Sequence, residues 1–381
     1  MQNKKIAIYS GEIPSTTFIE RLIEGLAENN TVLLFGHKSK RVNYKLGNIK
    51  NFGYKNKIDK FFIVLKYTIL LFIFDFKNKQ KLDKIIGKKT ALKSKYYPVL
   101  YHKPDIFHLQ WAKGVAEWSW VQEFGIKLFL SLRGTHITIS PYSDKKWRTK
   151  YFDFFPKLDG FHAVSKAIKN EVLQYGIDPN KIKVIYSGLD LDLLPYRPLT
   201  ITHHPLTIIS IGRNHWVKGY NYALDACKIL KENNFNFNYI IIGIDEKSEE
   251  LIFQRNQLEL NEKVEFVSNL PFDKVKENIL NANILLLPSI EEGIANVVLE
   301  AMALGTIVLT TNCGGMDEVV IDGQNGFVVP IRDSEAIANK IIEISKLSMS
   351  EIEIIRQNAR KTIENQHNLS IKIKEFEELY K

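Results

Sequence analysis

The sequence predicts an α/β fold of two Rossmann-like, doubly wound domains, and three observations carry that prediction. Short apolar runs alternate with helical stretches along the chain, the pattern of a parallel sheet covered on both faces. The pattern restarts near residue 206. Between the two rounds lies Leu194–Pro205, with three prolines and few core-forming runs, a natural linker. At 381 residues the chain is also too long for one typical domain. The expected division is residues 1–198 and 199–365, with the terminal helix, about 366–381, packing back on the first domain.

In the first round the predicted strands are Lys5–Ser10, Thr31–Phe35, Ile106–Leu109, Lys127–Ser131, Gly160–Val164 and Lys183–Tyr186. In the second they are Thr207–Ile211, Tyr239–Ile242, Val264–Val267, Ile284–Leu287, Thr306–Thr310 and Phe327–Val329. Each is a short run of β-branched, aliphatic or aromatic residues. The stretch Glu351–Lys381 reads as helix, with apolar residues at Ile371, Ile373, Phe376, Leu379 and Tyr380. The run Phe61–Phe76 is apolar but carries Lys66 and Asp75, and it falls short of the ~20 residues a spanning helix needs.

Composition bounds the function classes. Hydrophobic residues make up 45% and charged residues 25%, which is globular and not disordered. Cys227 and Cys313 form neither a disulfide framework nor a metal spacing, and that suits a reducing cytosol. Met1–Ser10 runs directly into a strand that ends at Gly11, which is no cleavable signal. The expected location is cytoplasmic. The net charge of +9 is uneven. From Lys55 to Lys95 there are twelve lysines against Asp59, Asp75 and Asp83. Three readings of Phe61–Phe76 stay open there: a core helix, a helix in a membrane interface, or a nucleic-acid patch. Nucleic acid ranks below the others, because the aromatics cluster in one apolar run and do not form a stacking platform.

The chemistry concentrates in Pro288–Gly305. A buried strand leads into a helix for which Asn296 is a suitable N-cap and Gly305 a suitable close. Glu292 and Glu300 stand eight residues apart at the carboxyl end of that strand, where open α/β sheets bind ligands. Glu300 alone reads as an ordinary early-helix acid favoured by the macrodipole. After the next strand come Gly314 and Gly315, which allow close backbone approach to a ligand. After the first strand of the second round come Arg213 and Lys218. One is a planar fork for phosphate oxygens and the other a compact point charge.

Taken together, Glu292-x7-Glu300, the Leu299–Gly305 run, Gly314-Gly315-x-x-Glu318 and Asp322-Gly323-x-Asn325-Gly326 resemble the retaining GT-B glycosyltransferases of glycosyltransferase family 4 (glycosyl transferases group 1). The resemblance is strong over the C-terminal half and looser over the N-terminal half. It implies two domains facing across a cleft, with a UDP- or GDP-sugar donor on the second. It implies that Arg213 and Lys218 hold the diphosphate, Glu300 the ribose and Glu292 the transferred sugar. Backbone around Gly293 to Asn296 would meet sugar or phosphate. The family wording there is Gly-Phe-Pro-Asn, and this chain has Gly293-Ile294-Ala295-Asn296. Losing proline leaves the loop less rigid.

In the N-terminal half the resemblance touches Gly11, His108, Arg133 with His136, and Ser165. Arg133 and His136 would face donor sugar or phosphate. Asp190 and Asp192 have the spacing of a metal site, but Ser187-Gly188-Leu189-Asp190 matches the family's Asn-Gly-x-Asp turn, so no metal and no other cofactor is expected. The implied acceptor is a lipid-linked or growing glycan of bacterial surface polysaccharide or lipopolysaccharide. The expected partners are the donor, the acceptor and, from the basic charge of Lys55–Lys95, an anionic inner membrane face, with no nucleic acid. The alternatives are a nucleotide-sugar epimerase or hydrolase, a non-catalytic binding protein, and an oxidoreductase, for which a Gly-x-Gly-x-x-Gly after the first strand is lacking.

Overall fold

The computed structural model describes residues 3–40, 42, 44–198, 205–245 and 248–381. The first sheet has seven parallel strands: β1 (Lys5–Ile13), β2 (Thr31–Lys38), β3 (Ile49–Asn51), β4 (Ile106–Leu109), β5 (Lys127–Leu132), β6 (Gly160–Ala163) and β7 (Ile182–Val184). Their order is β3-β2-β1-β4-β5-β6-β7. The second sheet has six: β8 (Leu206–Ile211), β9 (Phe237–Ile242), β10 (Val264–Val267), β11 (Ile284–Leu287), β12 (Ile307–Thr311) and β13 (Phe327–Val329), in the order β10-β9-β8-β11-β12-β13. Both are doubly wound, with apolar layers on each face. Every residue of β4, β6, β11 and β12 is buried, and that is why these strands read as continuous apolar runs without alternation.

The predicted strands recur with end shifts of up to three residues. Strand β3 was not expected. Ile49-Lys50-Asn51 is a three-residue edge strand with a charged middle, and such strands carry no apolar signal. Gly11 does not follow β1 but lies within it, at φ +94°. The register against β2 shifts between Ile8 and Gly11, where Gly11 faces Gly36. A Cβ on Gly36 would stand 2.6 Å from the Gly11 carbonyl oxygen.

The chain divides into two compact units, residues 1–164, 168–188 and 369–381 in one and 165–167 and 189–368 in the other. The break precedes the expected 198/199 boundary because Leu189 and Leu194 join the core of the second sheet. The expected single C-terminal helix is two. Met349–Gln366 starts on a capping box of Ser348 and Glu351. Leu369–Leu379 follows a break at His367 and Asn368 and belongs to the first unit. Its Ile373 and Phe376, with Tyr380, are buried with residues of β1 and β2.

The run Phe61–Phe76 spans two helices. Helix α1 is Thr17–Ala27. Helix α2, Lys57–Phe74, is capped by the Asn56 side chain, which accepts from the Asp59 N–H. Helix α3, Phe76–Ile86, follows Asp75. Only Tyr67 and Leu71 of α2 are buried, so α2 is no simple core helix.

Candidate active site

In the second sheet, β8 lies beside β11, and the winding reverses between them. Doubly wound sheets bind ligands outside the carboxyl ends of the strands at such a point. The loop after β8 contains Gly212 and Arg213, then a 3-10 turn, Trp216–Lys218, then Gly219 at φ +64°. A Cβ on Gly219 would lie 2.1 Å from the Pro288 carbonyl oxygen, so only glycine lets this loop meet the one after β11. The Ile290 N–H donates to the Val217 carbonyl at 2.7 Å and ties the same two loops. The loop after β12 docks similarly. The Gly315 N–H donates to the Gly293 carbonyl at 3.0 Å. Gly314 has φ +55°, and a Cβ there would stand 1.7 Å from the Glu292 carbonyl oxygen. The close approach that the two glycines allow is to the Glu292 loop.

Three loops thus carry the charges to one place. The Lys218 ammonium donates to Glu292 Oε1 at 2.6 Å, and the Ser289 hydroxyl donates to the same oxygen at 3.2 Å. Both charged side chains are largely shielded, 16% and 18% exposed. Two ammonium hydrogens remain for a ligand. Arg213 is exposed on the same loop. Desolvation, then the charges of Arg213 and Lys218, hold the His215 pKa below its usual value. Tyr220 donates to the Gly212 carbonyl at 3.1 Å. Burial first and Glu292 second push its pKa up, so it stays a neutral donor. Burial raises the Cys313 thiol to about 12, so this cysteine beside the loop is no nucleophile.

Asn296 does not cap its helix. Ala295 holds that position, and Asn296 is the first helical residue. A helix boundary shifts by a residue easily, and here the cap carbonyl comes from Ala295, whose N–H faces the Met316 sulfur at 3.4 Å. Asn296 Oδ1 is buried without a hydrogen-bond partner among the described residues. Glu300 stands in the following turn of the same helix, part-buried.

Arg213, Lys218, Glu292, Gly293, Asn296, Glu300, Gly314 and Gly315 therefore all lie in the loops after β8, β11 and β12 or in the first two turns of the helix after β11. Gly11, Arg133 and His136 belong to the first unit. There Arg133 follows β5, and one guanidinium nitrogen donates to Gln110 Oε1 at 3.2 Å. Its guanidinium carbon lies 4.6 Å from the centre of the Phe18 ring, a cation–π contact. The residue has intermediate exposure, yet Nε is fully buried and makes no hydrogen bond among the described residues. Burial pulls its pKa down to about 9, which leaves it cationic at neutral pH. The His136 ring lies 5.5 Å from that of Trp111.

Behind Arg133 runs a buried polar chain. Ser131 Oγ bridges His108 Nε2 and His162 Nδ1, each at 2.9 Å. His108 Nδ1 meets the Tyr380 hydroxyl at 2.5 Å, and His162 Nε2 meets the Ile185 carbonyl at 2.8 Å. Burial lowers the pKa of His108 to about 3 and that of His162 well below the usual value. Both are neutral hydrogen-bonding groups at physiological pH. Sequence reasoning missed Ser289, Tyr220, Gln110, Phe18 and Tyr380. Only Gln110 carried a usable signal, as the residue directly after a buried strand.

Among the described residues no group of three His, Cys, Asp or Glu side chains is placed to hold a metal ion. A roomier cavity of about 460 Å³ lies at the amino ends of β8, β11 and β12, lined by Leu206, Asn283, Thr306 and Met349. One guanidinium in its wall, that of Arg356, is engaged by the Arg197 and Gly305 carbonyls and by the Glu353 carboxylate.

A family model, Glycosyl transferases group 1, matches residues 197–362, and another, Glycosyltransferase Family 4, matches residues 15–193. A protein named as the colanic acid biosynthesis glycosyltransferase WcaL of Escherichia coli is 31% identical over 228 residues, 58% of this chain and 56% of that protein. The amylovoran biosynthesis glycosyltransferase AmsK of Erwinia amylovora is 25% identical over 261 residues, 65% of this chain and 64% of its own. The chain thus spans little more than half the length of these curated relatives. Among solved structures, a glycosyltransferase from Rickettsia africae has a TM-score of 0.73 at 20% identity, covering 100% of this chain and 98% of that one. Anabaena HepE in complex with UDP-glucose has a TM-score of 0.72 at 16% identity, covering 99% of both chains. At these identities the structural likeness concerns the fold alone. Both family models, side by side over residues 15–193 and 197–362, describe glycosyltransferases, so the chain belongs to the glycosyltransferases, and its two doubly wound sheets form the GT-B fold.

Proposed function

We propose that the chain is a retaining glycosyltransferase that moves a sugar from a UDP- or GDP-linked donor to a hydroxyl of a growing or lipid-linked glycan. The proposed setting is bacterial surface polysaccharide or lipopolysaccharide assembly on the cytoplasmic side, with Lys55–Lys95 toward an anionic membrane face. The observation that carries this is the Lys218–Glu292 pair at 2.6 Å, formed where the second sheet reverses its winding and on the loop that also holds Arg213. Departure of a nucleoside diphosphate develops negative charge on phosphate oxygens, and fixed cations lower that barrier most directly. Arg213 and Lys218 supply that charge in this reading, and no metal is proposed. Glu300 accepts from the ribose hydroxyls. Glu292, held by Lys218 and Ser289, faces the sugar.

A carboxylate already engaged by an ammonium and a hydroxyl is a poor covalent nucleophile. The favoured course is therefore front-face. The anomeric C–O bond to phosphate breaks, and the departing phosphate oxygen takes the acceptor hydroxyl's proton. The new C–O bond then forms on the same face. The biosynthetic roles in the names of WcaL and AmsK support a surface-glycan acceptor. The UDP-glucose complex of HepE supports a nucleotide-sugar donor.

A thermal-shift panel of UDP, GDP and their sugars tests the donor site. Some of these ligands stabilise the wild-type chain, and Arg213→Ala and Lys218→Ala lose most of that response. A panel in which no nucleotide stabilises, or in which both variants respond like wild type, removes the reading.

A further inference from the structure

The outer face of α2 is the least expected surface of the first unit. Ile58, Phe62, Leu65, Ile69 and Phe72 recur in steps of four and three residues, which places them on one stripe of a helix. All are exposed: Phe62 is 61% exposed, Ile69 51% and Phe72 60%. Phe61 and Ile73 widen the stripe, at 65% and 64%. Monomeric soluble proteins rarely leave so continuous an apolar surface to water. The opposite side of α2 is satisfied: Tyr67 and Leu71 are buried, and the Tyr67 hydroxyl meets His102 Nε2 at 2.9 Å.

Charge says what covers the stripe. Each acid of this region is engaged. Asp59 accepts from the Lys55 N–H, Asp75 pairs with Lys103 at 2.7 Å, and Asp83 pairs with Lys79 at 2.7 Å. Lys57, Lys77, Lys84 and Lys88 are exposed and pair with no carboxylate among the described residues. A second copy docking through the same stripe about a two-fold axis would bring like lysines together. A surface bearing lipid phosphates would be attracted to them. No helix among the described residues is long and apolar enough to cross a membrane, so α2 can lie on a bilayer and not through it.

We propose that α2 is an in-plane membrane anchor: its apolar stripe enters the headgroup–acyl boundary of an anionic bilayer while the lysines of α2 and α3 meet lipid phosphates. This deepens the lipid-linked acceptor reading and rests on it, since a lipid-borne acceptor is what such an anchor would serve. Apolar insertion makes the binding resistant to salt, whereas lysine attraction alone would be screened.

Flotation of the full chain with vesicles of equal parts phosphatidylcholine and phosphatidylglycerol tests it. Wild type floats, and part of that binding survives high salt. Phe62→Ser/Leu65→Ser/Phe72→Ser lowers partitioning by at least ~10-fold, as expected for three large apolar side chains withdrawn from lipid. Lys77→Glu/Lys84→Glu/Lys88→Glu removes the preference over pure phosphatidylcholine vesicles but keeps the salt-resistant part. Wild type that stays at the bottom, or a stripe variant that floats like wild type, overturns the anchor. So does light scattering that finds a wild-type dimer and a monomeric stripe variant, which assigns the stripe to a second copy. The thermal shift induced by UDP or by GDP, read on the same samples, verifies folding and separates the two readings. Lost flotation with an intact shift removes the anchor alone, and a shift absent from wild type removes the donor site.

Discussion

The strand ends of the two sheets hold their charges in opposite ways. In the second unit a cation and a carboxylate are paired, and three loops are pinned by glycines that nothing larger can replace. In the first unit Arg133 sits among Phe18, Gln110 and a chain of neutral histidines, with no carboxylate partner among the described residues. One arrangement is built from short-range steric and ionic contacts. The other depends on keeping water and protons out. They should therefore fail under different insults.

Acid should separate them most. Burial lowers the pKa of His102 to about 4, of His108 to about 3 and of His162 well below normal, and all three lie in the first unit. Above pH ~6.5 these histidines are neutral in both folded and unfolded chains and contribute no pH dependence. As pH falls through 6.5, the unfolded chain binds protons that the folded one refuses, so stability falls. The slope is about 1.4 kcal/mol per pH unit for each histidine, or roughly 6 kcal/mol for three by pH 5. His215 in the second unit shifts the same way but is partly exposed. In a Trp216→Phe background, Trp111, Trp118, Trp120 and Trp147 report the first unit by fluorescence, and the buried thiol of Cys227 reports the second by labelling. On acidification the fluorescence change should precede thiol exposure. The reverse order breaks the comparison.

Glycine substitutions should sharpen it next. Gly314→Ala puts a methyl group into the Glu292 carbonyl at a backbone angle that L residues avoid. The expected cost is about 3 kcal/mol in urea unfolding, with transfer activity down by at least ~100-fold. Gly11→Ala meets no atom within 4 Å and should cost only the left-handed backbone penalty, ~1–2 kcal/mol. Equal losses would mean that the steric lock is not peculiar to the second unit.

The difference also explains what was legible. The parallel sheets were readable because buried strands are uninterrupted apolar runs, as in Ile284–Leu287. The second unit's site was readable because its partners sit directly after strands and within short motifs. The pairing of Lys218 with Glu292 spans 74 residues, but each partner carried its own local signal. The first unit's cluster was harder. Tyr380 reaches His108 across 272 residues, and nothing near either residue announces the other. Helix α2 stayed open in the sequence for another reason: its composition is apolar on both sides, and only packing shows that one side faces solvent.

Charge deletion should produce a smaller contrast. Lys218→Met leaves Glu292 with the Ser289 hydroxyl and should cost ~1–2 kcal/mol, discounted for partial exposure. Arg133→Met removes a buried cation that has no carboxylate to abandon. Its loss of the Gln110 bond is offset by relief of desolvation, and stability should stay within ~1 kcal/mol of wild type. Urea unfolding of both variants checks the pair. A much larger loss from Arg133→Met would mean that a counter-charge holds it after all.

The smallest effect is expected at Asn296. Its Oδ1 is buried without a partner among the described residues, so the native state already carries the desolvation cost of an unmade bond. Asn296→Ala deletes that acceptor, and alanine is the better helix former at the first helical position. Unfolding free energy should therefore stay within about 0.5 kcal/mol of wild type or rise slightly. The stabilisation produced by a nucleotide sugar should shrink in the same variant, because in the wild type the amide serves the ligand and not the fold. A clear loss of stability with an unchanged ligand response would place Asn296 among the residues that hold the loop, and would leave the second unit's lock dependent on more than its glycines and one ion pair.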